Sequence, residues 1–138
     1  MDTGKVINKV SNRLRRRSHV IQKSIGITGA QGTVLDYILV EGMERDIYQK
    51  DIEQEFGLRP STATQILKSL EAEKLICRVA DEQDGRWKRI IFTKEAEKIR
   101  SLLKQEVEDT EDLLLQGISQ EEQRLFMDIA ERMLKNLE

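Results

Sequence analysis

The stretch from Pro60 to Glu73 sorts its side chains by face. Ala63, Ile66, Leu67 and Leu70 recur at helical spacing on one side, while Ser61, Gln65 and Lys68 share the other, flanked by Thr62, Thr64 and Ser69. Short hydroxyls, a carboxamide and an ammonium suit base edges and phosphate oxygens, and a glutamine can pair bidentately with adenine. Pro60 in the first turn presets φ where no N–H is required, which leaves the free N–H groups of that turn able to hold a phosphate. An ordinary solvated helix could show the same polar face.

A second group of charged residues follows. Ile76 to Ala80 and Lys88 to Thr93 read as two strands of a hairpin, joined by the tip Asp81-Glu82-Gln83-Asp84-Gly85-Arg86-Trp87. Arg86 stands just past Gly85, where a turn can project a long side chain outward, and a guanidinium so placed fits a narrow minor groove. Asp84 would orient it through a charge-assisted hydrogen bond. Arg78, Lys88 and Arg89 would add phosphate-facing charge.

Order separates these groups from a merely solvated surface. Gln49 to Phe56 is a short amphipathic helix, Gly57-Leu58-Arg59 is a tight turn, Pro60 opens the polar-faced helix, and the basic hairpin comes next. Helix, turn, helix and hairpin in that sequence form a winged helix-turn-helix, with one helix for the major groove and a wing for the minor groove.

Flanking helices must position this element. The first spans about Lys5 to Ile25, with Val6, Ile7, Val10, Leu14, Val20, Ile21 and Ile25 on one broad face. Thr28, with Gln31 three residues on, opens a second helix that buries Val34, Leu35, Ile38 and Leu39 and ends near Gly42. Thr93 caps a long helix carrying Ile99, Leu102, Leu103, Val107, Leu113 and Leu114, which Gly117 stops. Ser119 and Glu122 open the last helix, striped by Leu125, Phe126, Ile129, Met133, Leu134 and Leu137. The expected fold is therefore mainly α with a small β-hairpin wing. Residues 28–93 would form the DNA-binding lobe, and 1–27 with 94–138 a helical lobe that packs on a second copy of itself.

The bulk numbers suit this plan. At 138 residues there is room for one ordinary domain. Net charge is −2, but residues 59–93 carry 7 basic and 5 acidic side chains against 7 and 12 in 94–138, so the acid lies away from the hairpin. One Cys rules out an internal disulfide and points to a reducing cytoplasm. No apolar run approaches the roughly 20 residues that span a bilayer, and no signal peptide is visible, so no membrane partner is expected.

Taken together the chain resembles the MarR family of transcriptional regulators over essentially its whole length. The resemblance is carried by Gln49-Lys50-Asp51-Ile52, Pro60-Ser61-Thr62-Ala63-Thr64, Leu67-Lys68-Ser69-Leu70-Glu71 and Leu75-Ile76. The run from Asp81 to Arg86 and the exit through Phe92-Thr93 add to it. It implies a winged-helix homodimer that binds a pseudo-palindromic double-stranded DNA operator and represses transcription. It also implies release by a small anionic or aromatic effector bound between the lobes, with Pro60–Glu73 as recognition helix and Arg86 as the wing-tip arginine. Tyr48 departs from the family pattern, which has a small hydroxyl residue there; Asp46, with Gln49 three residues on, is the alternative cap.

Arg13 and Arg17 project among the apolar residues of the first helix, and Glu106 interrupts the stripe of the long one. Buried charges need partners, so Arg13 or Arg17 should pair with Glu106; the competing reading makes the arginines an anchor for an anionic effector. Arg15 and Arg16 point elsewhere, toward water or DNA. Cys77 reads as a small buried hydrophobe, with redox sensing the lesser alternative. His19 is the sole histidine, which leaves no metal-ligand set and no cofactor site. No catalytic constellation is present, and an enzyme is not expected. The alternative to a DNA-binding regulator is a winged-helix protein–protein adaptor, which would show an exposed apolar patch on its recognition face.

Overall fold

Caps set the boundaries of most helices. In a computed structural model, which describes residues 1–138, the order is α1 (Thr3–Ser24), α2 (Gly29–Gly42), α3 (Gln49–Phe56), α4 (Pro60–Ala72), β1 (Ile76–Ala80), β2 (Lys88–Phe92), α5 (Glu97–Leu114) and α6 (Gln120–Asn136). Asp2 starts α1 by accepting from the Lys5 amide at 2.8 Å. Thr28 and Gln31 close a reciprocal box at the head of α2, and Ser119 and Glu122 do the same for α6. The α4 helix opens on Pro60, as its fixed φ favours.

Three starts and stops differ from expectation. The cap of α3 is Tyr48, whose amide donates to the Asp51 carboxylate at 2.9 Å; Asp46 does not cap but faces Arg89 at 3.8 Å. Thr93 accepts from the Ala96 amide at 3.1 Å, yet a turn over 94–96 intervenes before α5 because its hydroxyl is also tied to the Lys74 carbonyl. At the end of α4 the chain turns through Lys74, with φ of 61°, where a glycine would be expected.

The core collects under α4. Leu35 from α2, Ile52 from α3, and Leu67 and Leu70 from α4 are fully buried, joined by Ile76 and Ile90 of the hairpin. Each such side chain stabilises by about 1.5–3 kcal/mol relative to exposure. Gly57 makes the sharp joint between α3 and α4: its φ of 60° lets Leu58 N–H return to Glu53 C=O at 2.9 Å. The strands pair antiparallel in the register Ile76↔Phe92 to Ala80↔Lys88. The hairpin is anchored beyond its own ladder, since the Ile90 amide donates to the Ile47 carbonyl at 2.8 Å.

Backbone contacts divide the chain into two units, Met1–Glu106 and Val107–Glu138. In the first unit, the α1 stripe remains exposed at Val6, Ile7, Val10 and Val20, and the buried residue of α1 is Gln22. In the second, α6 leaves Leu125, Phe126, Ile129 and Leu134 exposed, as is Leu137 just past its end. No helix is long and apolar enough to cross a membrane.

Candidate nucleic-acid interface

The two faces of α4 separate as the periodicity requires. Ala63, Leu67 and Leu70 are buried, whereas Pro60, Ser61, Thr62, Gln65 and Lys68 are exposed, so hydroxyl, carboxamide and ammonium groups stand together in solvent. Thr64 is half-buried, and its hydroxyl accepts from Gln49 Nε2 at 2.9 Å. Ser69 is a correction to the expected set. Gln31 Nε2 donates to its hydroxyl at 3.0 Å, and that hydroxyl donates to the Ile66 carbonyl at 2.6 Å, which turns it toward α2 and away from any ligand on the outer face.

At the wing, Asp84 and Arg86 are joined as their spacing suggests. Arg86 Nε and Nη2 donate to the two carboxylate oxygens at 3.1 and 2.9 Å, and the Arg86 amide adds a third bond. The guanidinium beside Asp84 holds that carboxyl below its ordinary range, with the backbone bond contributing second. Arg86 is nonetheless 88% exposed, so its direction is set while its outer edge remains open. Lys88 is exposed as well.

The other two wing cations serve the scaffold. Arg78 is half-buried and bridges Glu71 of α4, at 3.0 Å, to the Gln49 carboxamide of α3, at 3.2 Å. Arg89 faces Asp46, and its Nε is buried without a hydrogen-bond partner. Of the three cations expected to face phosphate, Lys88 stands outward, whereas Arg78 and Arg89 are engaged within the scaffold. Cys77 is half-buried on β1 opposite Ile91.

Sequence reasoning passed over the joint between α3 and the wing. Tyr48 donates its hydroxyl to Asp81 at 3.1 Å and meets Trp87 edge-on, with centroids 5.9 Å apart. Gln49 reaches both Thr64 and Arg78. A lone Trp in an otherwise charged tip was the available signal. Arg45 was missed too: it ties Glu41 and the Tyr37 hydroxyl of α2 to Asp51 of α3, at 3.3, 2.9 and 3.3 Å.

Further from this face, Arg17 rather than Arg13 meets Glu106, with Nε 4.0 Å from the carboxylate; Arg13 instead donates to the Lys9 carbonyl at 3.3 Å. Arg15 and Arg16, expected to face water or DNA, line an open cavity of about 960 Å³ between α1 and α2, together with His19, Gln22, Thr33 and Asp36. Gln22 Nε2 donates to Asp36 at 2.8 Å. Burial, and then the charge of Glu106, push the Asp36 carboxyl up to about 6, against the lowering effect of the Gln22 bond.

Comparison with known proteins agrees with this geometry. A family model described as MarR family matches residues 25–86. The uncharacterized HTH-type transcriptional regulator YybA of Bacillus subtilis is 28% identical over 92 residues, covering 67% of this chain and 61% of that protein, less than two thirds of its length. The crystal structure of the transcription regulator MarR from Oenococcus oeni is 29% identical with a TM-score of 0.78, covering 97% of this chain and 99% of that one. MepR of S. aureus in its DNA-binding conformation is 25% identical with a TM-score of 0.84, covering 100% of both chains. The MepR–DNA complex gives 0.74 at the same identity, with 100% and 99% covered.

Proposed function

We propose that the chain is a transcriptional regulator of the MarR family, a sequence-specific repressor that binds a pseudo-palindromic operator as a homodimer. One observation carries the reading: the exposed Ser61, Thr62, Gln65 and Lys68 of α4 stand beside a wing whose Arg86 is oriented by Asp84 yet open at its tip. That arrangement suits α4 in a major groove and the wing in the flanking minor groove, with two half-sites about one helical turn apart. The outer face of α4 presents polar groups, where an adaptor would need an apolar patch.

Dimer formation draws support from the apolar residues left exposed on α1 and α6. On this reading 1–27 and 94–138 are the dimerisation lobe and 28–93 the DNA-binding lobe. Release by a small anionic effector is part of the proposal. The α1–α2 cavity suits one, because Arg15, Arg16 and His19 in its wall offer donors to a carboxylate.

The deciding experiment is selection from a pool of random duplexes, with sequencing of the bound fraction and titration against salt. Recovery of an inverted repeat, with affinity falling steeply as salt rises, is the expected result. Enrichment of no motif at low salt would remove sequence-specific repression.

A further inference from the structure

Between the start of α3 and the tip end of the wing lies a cleft of about 220 Å³ whose charged wall residues are all cationic: Lys50, Arg78, Arg86 and Lys88. Two are already engaged, Arg78 with Glu71 and Gln49, and Arg86 with Asp84. The ammonium groups of Lys50 and Lys88 have no ion-pair or hydrogen-bond partner in the chain. Converging ammonium groups repel one another until an anion comes between them. One further wall is aromatic. Trp87 is 49% exposed but held edge-on against Tyr48, which is fixed in turn by Asp81. Gln49, also in the wall, bonds to Thr64 and to the Pro60 carbonyl, so the cleft continues the polar face of α4 around to the wing.

We propose that this cleft seats one backbone phosphate of duplex DNA, held jointly by Lys50 and Lys88 with Trp87 as its apolar wall; the proposal rests on the DNA-binding reading above. Such a phosphate fixes the register of the duplex against α3 and the wing without reading a base. It also gives the Tyr48–Trp87 contact a purpose, since that contact sets the spacing between the two elements that carry the lysines.

The test is fluorescence anisotropy of a fluorescein-labelled random-sequence duplex across a salt series, for the parent, Lys50→Ala, Lys88→Ala and the double variant. One shared phosphate predicts that either single variant, whose other lysine still pairs with it, keeps the slope of log K against log salt, while the double variant lowers it by about 0.9. Single variants that each lose about 0.9, with about twice that in the double, place the lysines on separate phosphates and overturn the shared seat. An unchanged slope in the double variant overturns it outright. Trp87, the only Trp of the chain, gives an independent readout: bound duplex should shield its emission from acrylamide quenching. Duplex binding that leaves Trp87 equally quenchable overturns the proposal while the DNA-binding reading stands. Absence of duplex binding at every salt concentration overturns both.

Discussion

The α4–wing face and the α1–α2 junction use the same residue types to opposite ends. On the outer face Gln65 is exposed, and Asp84 meets Arg86 in solvent and is held below the usual carboxylate range. At the junction Gln22 is buried, its amide spent on Asp36, and burial drives that carboxyl up to about 6. A carboxylate in water is stabilised by a neighbouring cation, whereas one out of water is destabilised by the loss of solvent even when hydrogen-bonded. Residue type therefore says little about role until burial is known. The outer face keeps donors available for a partner, and the junction consumes them to fix how α1 meets α2.

The sharpest way to break that contrast is at Gly32. A Cβ there would stand 2.0 Å from Gln22 Oε1 and 2.3 Å from its Cδ. Gln22 cannot swing aside without giving up Asp36, so Gly32→Ala should cost about 2–3 kcal/mol by urea denaturation, combining overpacking with an unsatisfied amide. A cost within about 0.5 kcal/mol, the range of ordinary surface substitutions, would mean that the junction is not wedged as described. On the outer face the expected loss is in recognition instead. Gln65→Ala should relax base preference at one operator position by about 1–3 kcal/mol and leave thermal stability unaltered. Lower stability with unchanged preference would reverse the roles assigned to the two regions.

Asp36 and Arg86 sharpen the comparison electrostatically. The Asp36 carboxyl has a folded-state value of about 6 against 3.8 ordinarily, so the fold favours its protonated form. Its contribution is present in full below about 3.8 and is lost as pH rises toward 6. Discounted for partial exposure, the loss amounts to about 1–2 kcal/mol. Asp36→Asn keeps an acceptor for Gln22 and should remove that slope, so the variant should gain on the parent between about pH 3.8 and 6 in paired denaturation series. Parallel pH profiles would contradict the burial argument. Arg86→Ala should instead leave the stability profile alone and reduce the salt slope of duplex binding by about 0.9, read by anisotropy.

Much of the outer face was legible because periodicity and turn chemistry are local. The alternation of Ala63, Leu67 and Leu70 with Ser61, Gln65 and Lys68, the Gly57 joint, and the Asp84–Arg86 pair all lie within a few residues in sequence. What could not be read depends on distant partners. Ser69 belongs to the polar flank by spacing, yet Gln31, 38 residues away, claims its hydroxyl. Arg78 and Arg89 look like Lys88 in the sequence, but Glu71 and Asp46 hold them. The partner of Glu106 on α1 was left open between Arg13 and Arg17, because helical spacing gives a face without saying which of two residues reaches a neighbour; Arg17 is the one that does.

The smallest expected effect tests the hinge between the readable and unreadable parts, the turn from α4 into the wing. Lys74 adopts φ of 61°, with Leu75 N–H returning to Leu70 C=O at 3.0 Å, a helix end that ordinarily uses glycine. Its carbonyl accepts from the Thr93 hydroxyl, a bond that any residue at this position preserves. Lys74→Gly relieves the left-handed strain but adds freedom to the unfolded chain, so a net gain of about 0.5–1 kcal/mol is expected as a higher urea midpoint with an unchanged slope. If the lysine is only a strained cap, duplex affinity stays as it was. Should affinity fall while stability rises, the exposed ammonium of Lys74 joins the outer face as a phosphate contact, and the strain is the means of presenting it there.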